Sequence, residues 1–218
     1  GKTLHAGAAA LVHNIKNPIS LARLIMDKSE QVMLAGEGAI EFAQKMKCKF
    51  EQDSYFYDEF RYQQWREVKG SDKVQLDHSV NKNIGTIGAV ALDAFGNLAA
   101  GTSTGGVTNK KIGRIGDSPI IGSGTYANNN TCAISCTGTG EFFMRGVVAY
   151  DISCLMEYKG MSLEDACLEA VNIKLLKLGG DGGLIGVDAK GNIAISFNTE
   201  GMYRAFKQYD KPEVIAIY

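Results

Sequence analysis

A short phrase occurs twice in the chain and constrains its fold most strongly. Residues 93–99 read DAFGNLA and residues 188–194 read DAKGNIA, and strand-like segments of small and apolar residues flank both copies. The glycine in each phrase can adopt the positive φ that a short hairpin loop requires. The recurrence therefore predicts two similar β-hairpins, one in the middle of the chain and one near its end.

Helical patterns precede the first hairpin and separate it from the second. Asn17 is a predicted N-cap because Pro18 and apolar residues spaced three or four apart follow it, and Ser162 opens a capping-box-like start. Further strands are predicted at 131–137 and at the C-terminus. The predicted helices cover residues 17–25, 38–46, 58–68 and 141–158, with another starting at 162. This order predicts an α+β fold with helices outside stacked, mainly antiparallel sheets.

Composition limits the classes of protein that this chain can belong to. The 218 residues carry 23 basic and 24 acidic side chains without a basic stripe, which argues against nucleic-acid binding. The hydrophobic share of 45% argues against both disorder and a membrane protein. A polar stretch from residue 69 to residue 85 has no helical pattern, so we expect a linker there within a single domain.

Cysteine and histidine give little support for a metal site or a disulfide framework. The five cysteines are an odd number without a CxxC pair, and the three histidines are His5, His13 and His78. None of these histidines lies near a glycine-flanked serine, so a catalytic histidine is not expected. Cys132 and Cys136 share one face of a predicted strand and are expected to be buried thiols.

Two glycine-rich segments could hold an anion. Residues 101–106 (GTSTGG) lack the lysine and the spacing of a phosphate-binding P-loop. Residues 137–141 (TGTGE) end a predicted strand and open a helix, where free backbone N–H groups could hold an anion or a developing oxyanion. A plain glycine-rich turn explains this second segment equally well.

A guanidinium and a carboxylate lie three residues apart between glycines, in Arg114 and Asp117. An exposed ion pair that contributes little stability would explain them. If both side chains instead face a cleft, they match the carboxylate and the ammonium of an α-amino acid.

The polar stretch meets the first strand at Gly85 and Thr86. A threonine hydroxyl needs a base beside it, and a chain cut before Thr86 would supply one in the new α-amino group, whose ordinary pKa is roughly 7.7–8. Gly85 has no Cβ to crowd attack on its carbonyl. Threonine at the start of a strand is otherwise explained by its β-propensity.

Five motifs in this order resemble the isoaspartyl peptidase/plant-type L-asparaginase family of N-terminal-nucleophile hydrolases. They are GTIGAVALD (85–93), GTSTGG (101–106), GRIGDSP (113–119), YANN (126–129) and CTGTGE (136–141). The resemblance implies a four-layer αββα sandwich without a cofactor. It also implies a precursor that cleaves itself before Thr86 into an α subunit, residues 1–85, and a β subunit, residues 86–218, with two αβ units forming a homodimer.

The resemblance also assigns roles to individual residues. It implies that Thr86 is the nucleophile and that Thr104 is its hydrogen-bonding neighbour. Arg114 would bind the α-carboxylate of the substrate, and Asp117 its α-ammonium.

The strand-to-helix turn receives the remaining roles in this resemblance. Thr137 and Gly138 would form the oxyanion hole, and Gly140 would contact the bound aspartyl group. Members of the family usually begin with a strand and an HGGAG-like segment, which this sequence does not contain. The chain is therefore expected to be incomplete at the N-terminus of its α subunit, where the family often has a structural sodium site.

The resemblance implies an amidohydrolase that releases L-aspartate from β-aspartyl dipeptides and L-asparagine through an aspartyl-Thr86 ester. One alternative is a catalytically silent fragment that serves only in binding or assembly. Another is a glycosylasparaginase, although such enzymes typically carry aspartate where Gly85 stands here. A cytoplasmic location is expected, or a periplasmic one if a leader has been lost.

Overall fold

The secondary structure comes from a computed structural model, which describes residues 1–71 and 85–218. His78 and most of the predicted linker lie outside the described residues. The helices are α1 (Pro18–Lys28), α2 (Gly36–Lys45), α3 (Glu59–Val68), α4 (Gly140–Gly146), α5 (Val148–Lys159) and α6 (Leu163–Leu168), with a 3₁₀ turn at Asp53–Phe56 and a π-helix at Glu169–Leu175. The strands are β1 (Ala8–Ala10), β2 (Met33–Ala35), β3 (Ile87–Leu92), β4 (Leu98–Ser103), β5 (Thr125–Ala127), β6 (Cys132–Gly138), β7 (Gly182–Asp188), β8 (Ile193–Phe197), β9 (Arg204–Phe206) and β10 (Val214–Ala216).

Both predicted hairpins are present, and the same turn closes them. Asp93 accepts backbone N–H bonds from the residues two and four positions on, both at 2.8 Å. Asp188 does the same at 2.8 and 2.9 Å. The glycines three residues after these aspartates have φ of 80° and 82°. The repeated phrase thus specifies each turn through an aspartate that caps the loop and a glycine in the left-handed region.

The sheets and helices form four layers. The β3–β4 hairpin packs against the antiparallel sheet β5–β6–β7–β8, and α1 lies against β4 on the outer side of the hairpin. Helices α4, α5 and α6 cover the other face of the larger sheet. The predicted α+β fold, an αββα sandwich, is confirmed by this layer order.

The main core lies between the larger sheet and its helices. Strand β6 runs through the centre of that sheet and is buried on both faces from Cys132 to Cys136, as expected for a strand covered on both sides. Helices α4 and α5 contribute Phe143 and Ile152, both fully buried. Leu98 packs in a second cluster, where the hairpin contacts the larger sheet.

The prediction of one long helix over residues 141–158 is wrong, because the helical conformation is interrupted at Val147, between α4 and α5. This valine has φ of 47°, a left-handed conformation that is costly for a β-branched residue. The first turn of α5 compensates through tertiary hydrogen bonds, since Tyr150 N–H donates to the Gly122 carbonyl at 2.8 Å and Ala149 N–H to the Ser123 carbonyl at 3.3 Å.

The predicted starts of α1 and α6 are confirmed in position but differ in their caps, whereas α2 begins at Gly36, two residues before the predicted start. Ser162 Oγ accepts the N–H of Asp165 at 3.1 Å, so the predicted cap of α6 is present. Helix α1 begins at Pro18, but within the described part of the chain the Asn17 side chain makes no capping hydrogen bond. No helix in the described ranges combines the length and the apolar character needed to span a membrane.

Candidate active site

The two threonines that flank the first hairpin lie together at one end of it. Because β3 and β4 are antiparallel, with Ile87 opposite Ser103, the residue before β3 and the residue after β4 reach the same edge. Thr86 Oγ1 donates to Thr104 Oγ1 at 3.3 Å, and Thr104 Oγ1 also accepts the N–H of Gly106 at 3.0 Å. The structure therefore brings the predicted nucleophile and its predicted neighbour into hydrogen-bonding distance.

Strand β3 crosses β6 close to the predicted oxyanion hole. A Cβ on Gly88 would lie 2.0 Å from Ser135 Oγ, so the absence of a side chain on Gly88 allows the two strands to approach. Thr86 and Thr137 each lie two residues from this crossing. The crossing therefore places the start of β3 against β6, two residues before Thr137.

A pair of facing glycines shapes the backbone at the end of β6. Gly138 pairs with Gly182 of β7, and their φ angles are 147° and 143°, values that side chains rarely tolerate. A Cβ on Gly138 would lie 2.3 Å from the Asp181 carbonyl oxygen. Thr139 N–H donates to that same oxygen at 3.1 Å, which fixes the turn between β6 and α4.

Arg114 forms an ion pair, but its partner is not Asp117. Its Nε and Nη2 donate to the two carboxylate oxygens of Glu141, both at 2.8 Å, in a bidentate arrangement. The Arg114 side chain is only 16% exposed, and its hydrogen bonds hold the pKa of Glu141 below the usual range. The pairing through Nε and Nη2 leaves the edge formed by Nη1 and Nη2 directed away from Glu141.

Sequence reasoning did not assign a role to Glu141. This residue ends the CTGTGE motif and lies in the first turn of α4, so the motif was the available signal. Its partner Arg114 lies 27 residues earlier, which no local pattern reveals.

Asp117 is buried between two glycines and is 5% exposed. A Cβ on Gly140 would lie 2.6 Å from its Oδ1, and one on Gly124 would lie 2.8 Å from its Oδ2. Among the described residues, Oδ2 has no hydrogen-bond partner. Burial raises the pKa of Asp117 from its ordinary value of 3.8 to about 6; Glu141 adds to this rise, and Arg114 opposes it. A cationic ligand would supply the partner that this carboxylate lacks.

Gly140 lies against Asp117 rather than in the open part of the site. Besides its approach to Oδ1, a Cβ there would lie 2.8 Å from the Asp117 backbone nitrogen. The close packing explains why glycine stands at this position. Contact between Gly140 and a bound aspartyl group stays a prediction.

A cavity of about 570 Å³ opens beside these residues. Thr104 and Arg114 line it, together with Lys110, Ser118 and the segment 7–15. The hydroxyl of Ser118 is buried and, within the described ranges, has no hydrogen-bond partner. The other predicted site residues are not part of the cavity wall, so the cavity adjoins the site on the side of Arg114 and Thr104.

The remaining candidates lie apart from this chemistry or cannot be placed. His5 is exposed and is not part of the cavity wall, whereas His13 is exposed within the segment 7–15 that lines the cavity. Cys132 and Cys136 are buried as predicted, and burial raises the pKa of Cys132 to about 12, which favours the unreactive thiol. In residues 1–71 and 85–218, no group of three or more His, Cys, Asp or Glu side chains is arranged to hold a metal ion.

The four-layer fold, with a threonine at the start of an inner strand, defines an N-terminal-nucleophile type of hydrolase. The sequence matches the asparaginase family over residues 1–217, and the chain belongs to this family. It is 50% identical to an isoaspartyl peptidase of Salmonella typhimurium, over 100% of this chain and 71% of the relative. Identity to an isoaspartyl peptidase of Escherichia coli is also 50%, over 100% and 70%. A plant-type L-asparaginase of Thermococcus kodakarensis is 41% identical, over 98% and 72%.

Proposed function

We propose that this chain is a threonine amidohydrolase that releases L-aspartate from β-aspartyl dipeptides and from L-asparagine. The names and the 50% identity of the bacterial relatives support this substrate class. The observation that carries the proposal is the hydrogen bond from Thr86 Oγ1 to Thr104 Oγ1 at the start of the inner hairpin. It gives the hydroxyl of Thr86 a defined position next to a second hydroxyl.

Two charged side chains support recognition of the aspartyl group. The buried Asp117 carboxylate, whose Oδ2 has no partner in the described structure, is suited to an α-ammonium. Arg114, held by Glu141 through one edge, offers its other edge to the α-carboxylate. These contacts would direct the side-chain amide of the substrate toward Thr86.

The proposed reaction starts from a chain cut between Gly85 and Thr86. The free α-amino group of Thr86 takes the hydroxyl proton while Oγ1 attacks the amide carbon of the substrate side chain. Backbone at Thr137 and Gly138 would stabilise the oxyanion of the tetrahedral intermediate. The C–N bond then breaks, and the leaving amine takes the proton.

Hydrolysis of the resulting aspartyl-Thr86 ester completes the proposed cycle. Water loses a proton to the same amine and attacks the ester carbon, and the proton returns to Oγ1 as L-aspartate leaves. The base is thus attached to the nucleophile, which explains how the reaction proceeds without a catalytic histidine.

Replacement of Thr86 tests the proposal. The parent chain should separate into residues 1–85 and 86–218, visible by intact mass spectrometry, and should release L-aspartate from a β-aspartyl dipeptide. Thr86→Ala should remain one uncut and inactive chain, whereas Thr86→Ser should retain some cleavage because it keeps a hydroxyl. Cleavage before residue 86 in Thr86→Ala would show that an external protease makes the cut and would remove the support for Thr86 as nucleophile.

A further inference from the structure

Lys110 adds a second cation to the cavity beside the proposed site. Its Nζ donates to the Gly105 carbonyl oxygen at 2.6 Å, and a Cβ on Gly106 would lie 3.1 Å from it. Arg114 lines the same cavity. An ammonium has three N–H donors, so the bond to Gly105 leaves donors for a ligand.

A short series of contacts connects Lys110 with the reacting hydroxyls. Gly106, which packs against Nζ, donates its N–H to Thr104 Oγ1 at 3.0 Å, and Thr104 Oγ1 accepts from Thr86 Oγ1 at 3.3 Å. Gly106 is therefore the single residue that lies between the ammonium of Lys110 and this pair of hydroxyls.

The charges of the two proposed substrates differ by one carboxylate. L-Asparagine has one α-carboxylate and one α-ammonium, which Arg114 and Asp117 would bind. A β-aspartyl dipeptide has the same two groups and also the C-terminal carboxylate of the leaving amino acid, separated from the scissile nitrogen by a single Cα. This additional carboxylate requires a further cation or exposure to water.

The position and the exposure of Lys110 suit it to serve as that cation. The residue lines the cavity and is exposed, so its ammonium is accessible to a ligand there. Burial of the ammonium, and to a smaller degree the neighbouring charge of Arg114, lower the pKa of Lys110. An incoming carboxylate would oppose both effects, because its negative charge stabilises the charged ammonium.

We propose that Lys110 binds the C-terminal carboxylate of the leaving amino acid and so favours β-aspartyl dipeptides over L-asparagine. This assignment rests on the proposed function. It makes Lys110 a residue that determines specificity for the leaving group, distinct from the residues proposed to bind the aspartyl group.

Three substrates and three variants test the assignment. The substrates are β-aspartyl-leucine, its C-terminal amide and L-asparagine, and the variants are Lys110→Met, Lys110→Arg and Lys111→Met. Lys110→Met should raise KM for the dipeptide about tenfold, as loss of a charge-assisted hydrogen bond does, and leave KM for the other two substrates unchanged. Lys110→Arg should keep most of the preference. The neighbouring Lys111, which is not part of the cavity wall, should have no effect when replaced.

The outcomes separate this assignment from the proposed function. If Lys110→Met leaves KM for the dipeptide unchanged, or weakens all three substrates equally, the assignment is overturned while hydrolysis of L-asparagine still supports the proposed function. A parent chain that hydrolyses none of the three overturns the proposed function and this assignment with it.

Discussion

Replacement of Asp117 by asparagine should increase the stability of the fold relative to the parent as the pH rises, while it abolishes substrate use. The carboxyl is 5% exposed, and burial raises its pKa from the ordinary value of 3.8 to about 6. A raised carboxyl pKa means that the folded chain binds the proton more tightly than the unfolded chain. Ionisation of Asp117 therefore costs folding free energy, and asparagine avoids this cost because it has no charge.

The magnitude and the sign follow from the two pKa values. They differ by about 2, and one pKa unit corresponds to about 1.36 kcal/mol, so the full cost is about 3 kcal/mol. Below pH 3.8 the group is protonated in both states and the cost is absent. It grows as the pH rises and is complete above about pH 6. Between pH 4.5 and pH 8, the stability of Asp117→Asn relative to the parent should increase by about 2 kcal/mol.

Urea unfolding followed by circular dichroism at both pH values measures this difference. A constant contribution from the asparagine amide, favourable or unfavourable, cancels when the two pH values are compared. Asp210→Asn is a matched control because Asp210 is exposed, and it should show the same difference from the parent at both pH values. If the stability difference between Asp117→Asn and the parent does not change with pH, Asp117 is not a buried carboxyl with a raised pKa.

Two further replacements test how the charged groups are held. Glu141→Ala should raise KM for L-asparagine by up to about fivefold with little change in kcat, because a partly exposed ion pair that orients Arg114 contributes only modestly to binding. Glu164→Ala, in the first turn of α6, is the control. An unchanged KM in Glu141→Ala would show that Arg114 is positioned without Glu141. Gly140→Ala should lower kcat/KM about tenfold or more, because its Cβ would lie 2.6 Å from Asp117 Oδ1 and 2.8 Å from the Asp117 backbone nitrogen. Gly38→Ala in α2 is the control, since a Cβ at Gly38 would have no atom within 4 Å; this variant should stabilise its helix by about 0.5–1 kcal/mol. Normal kinetics in Gly140→Ala would contradict the tight packing around Asp117.

Local signals in the sequence predicted those elements that local interactions specify. Each hairpin turn is closed by one aspartate and one glycine within five residues, and the α6 cap needs only Ser162 and the N–H of Asp165. The break at Val147 was missed because the hydrogen bonds that compensate for it come from residues 122–123. The parallel pair β1–β2 was also missed, since each strand has only three residues and no alternation that a pattern could reveal.

The same distinction applies to the candidate site. The family resemblance singled out Thr86, Thr104 and Arg114, which the structure places around one end of the inner hairpin and its cavity. It did not reveal that Arg114 is bound by Glu141 or that Asp117 is enclosed on two sides by backbone. Both facts depend on contacts between segments that are distant in sequence. The motifs could therefore propose roles for these residues, which stay predictions, but could not predict their electrostatics.

Glycine accounts for 26 of the 218 residues, and several of these glycines have a specific structural role at this site. Gly138 faces Gly182 across the β6–β7 pair, and Gly124 and Gly140 enclose the Asp117 carboxyl. A side chain at any of these positions would displace backbone or a charged group by more than the packing allows. The close approach excludes water from Asp117, raises its pKa and leaves Oδ2 without a partner in the described structure. The packing that costs stability is therefore the same packing that suits Asp117 to the ammonium proposed as its ligand.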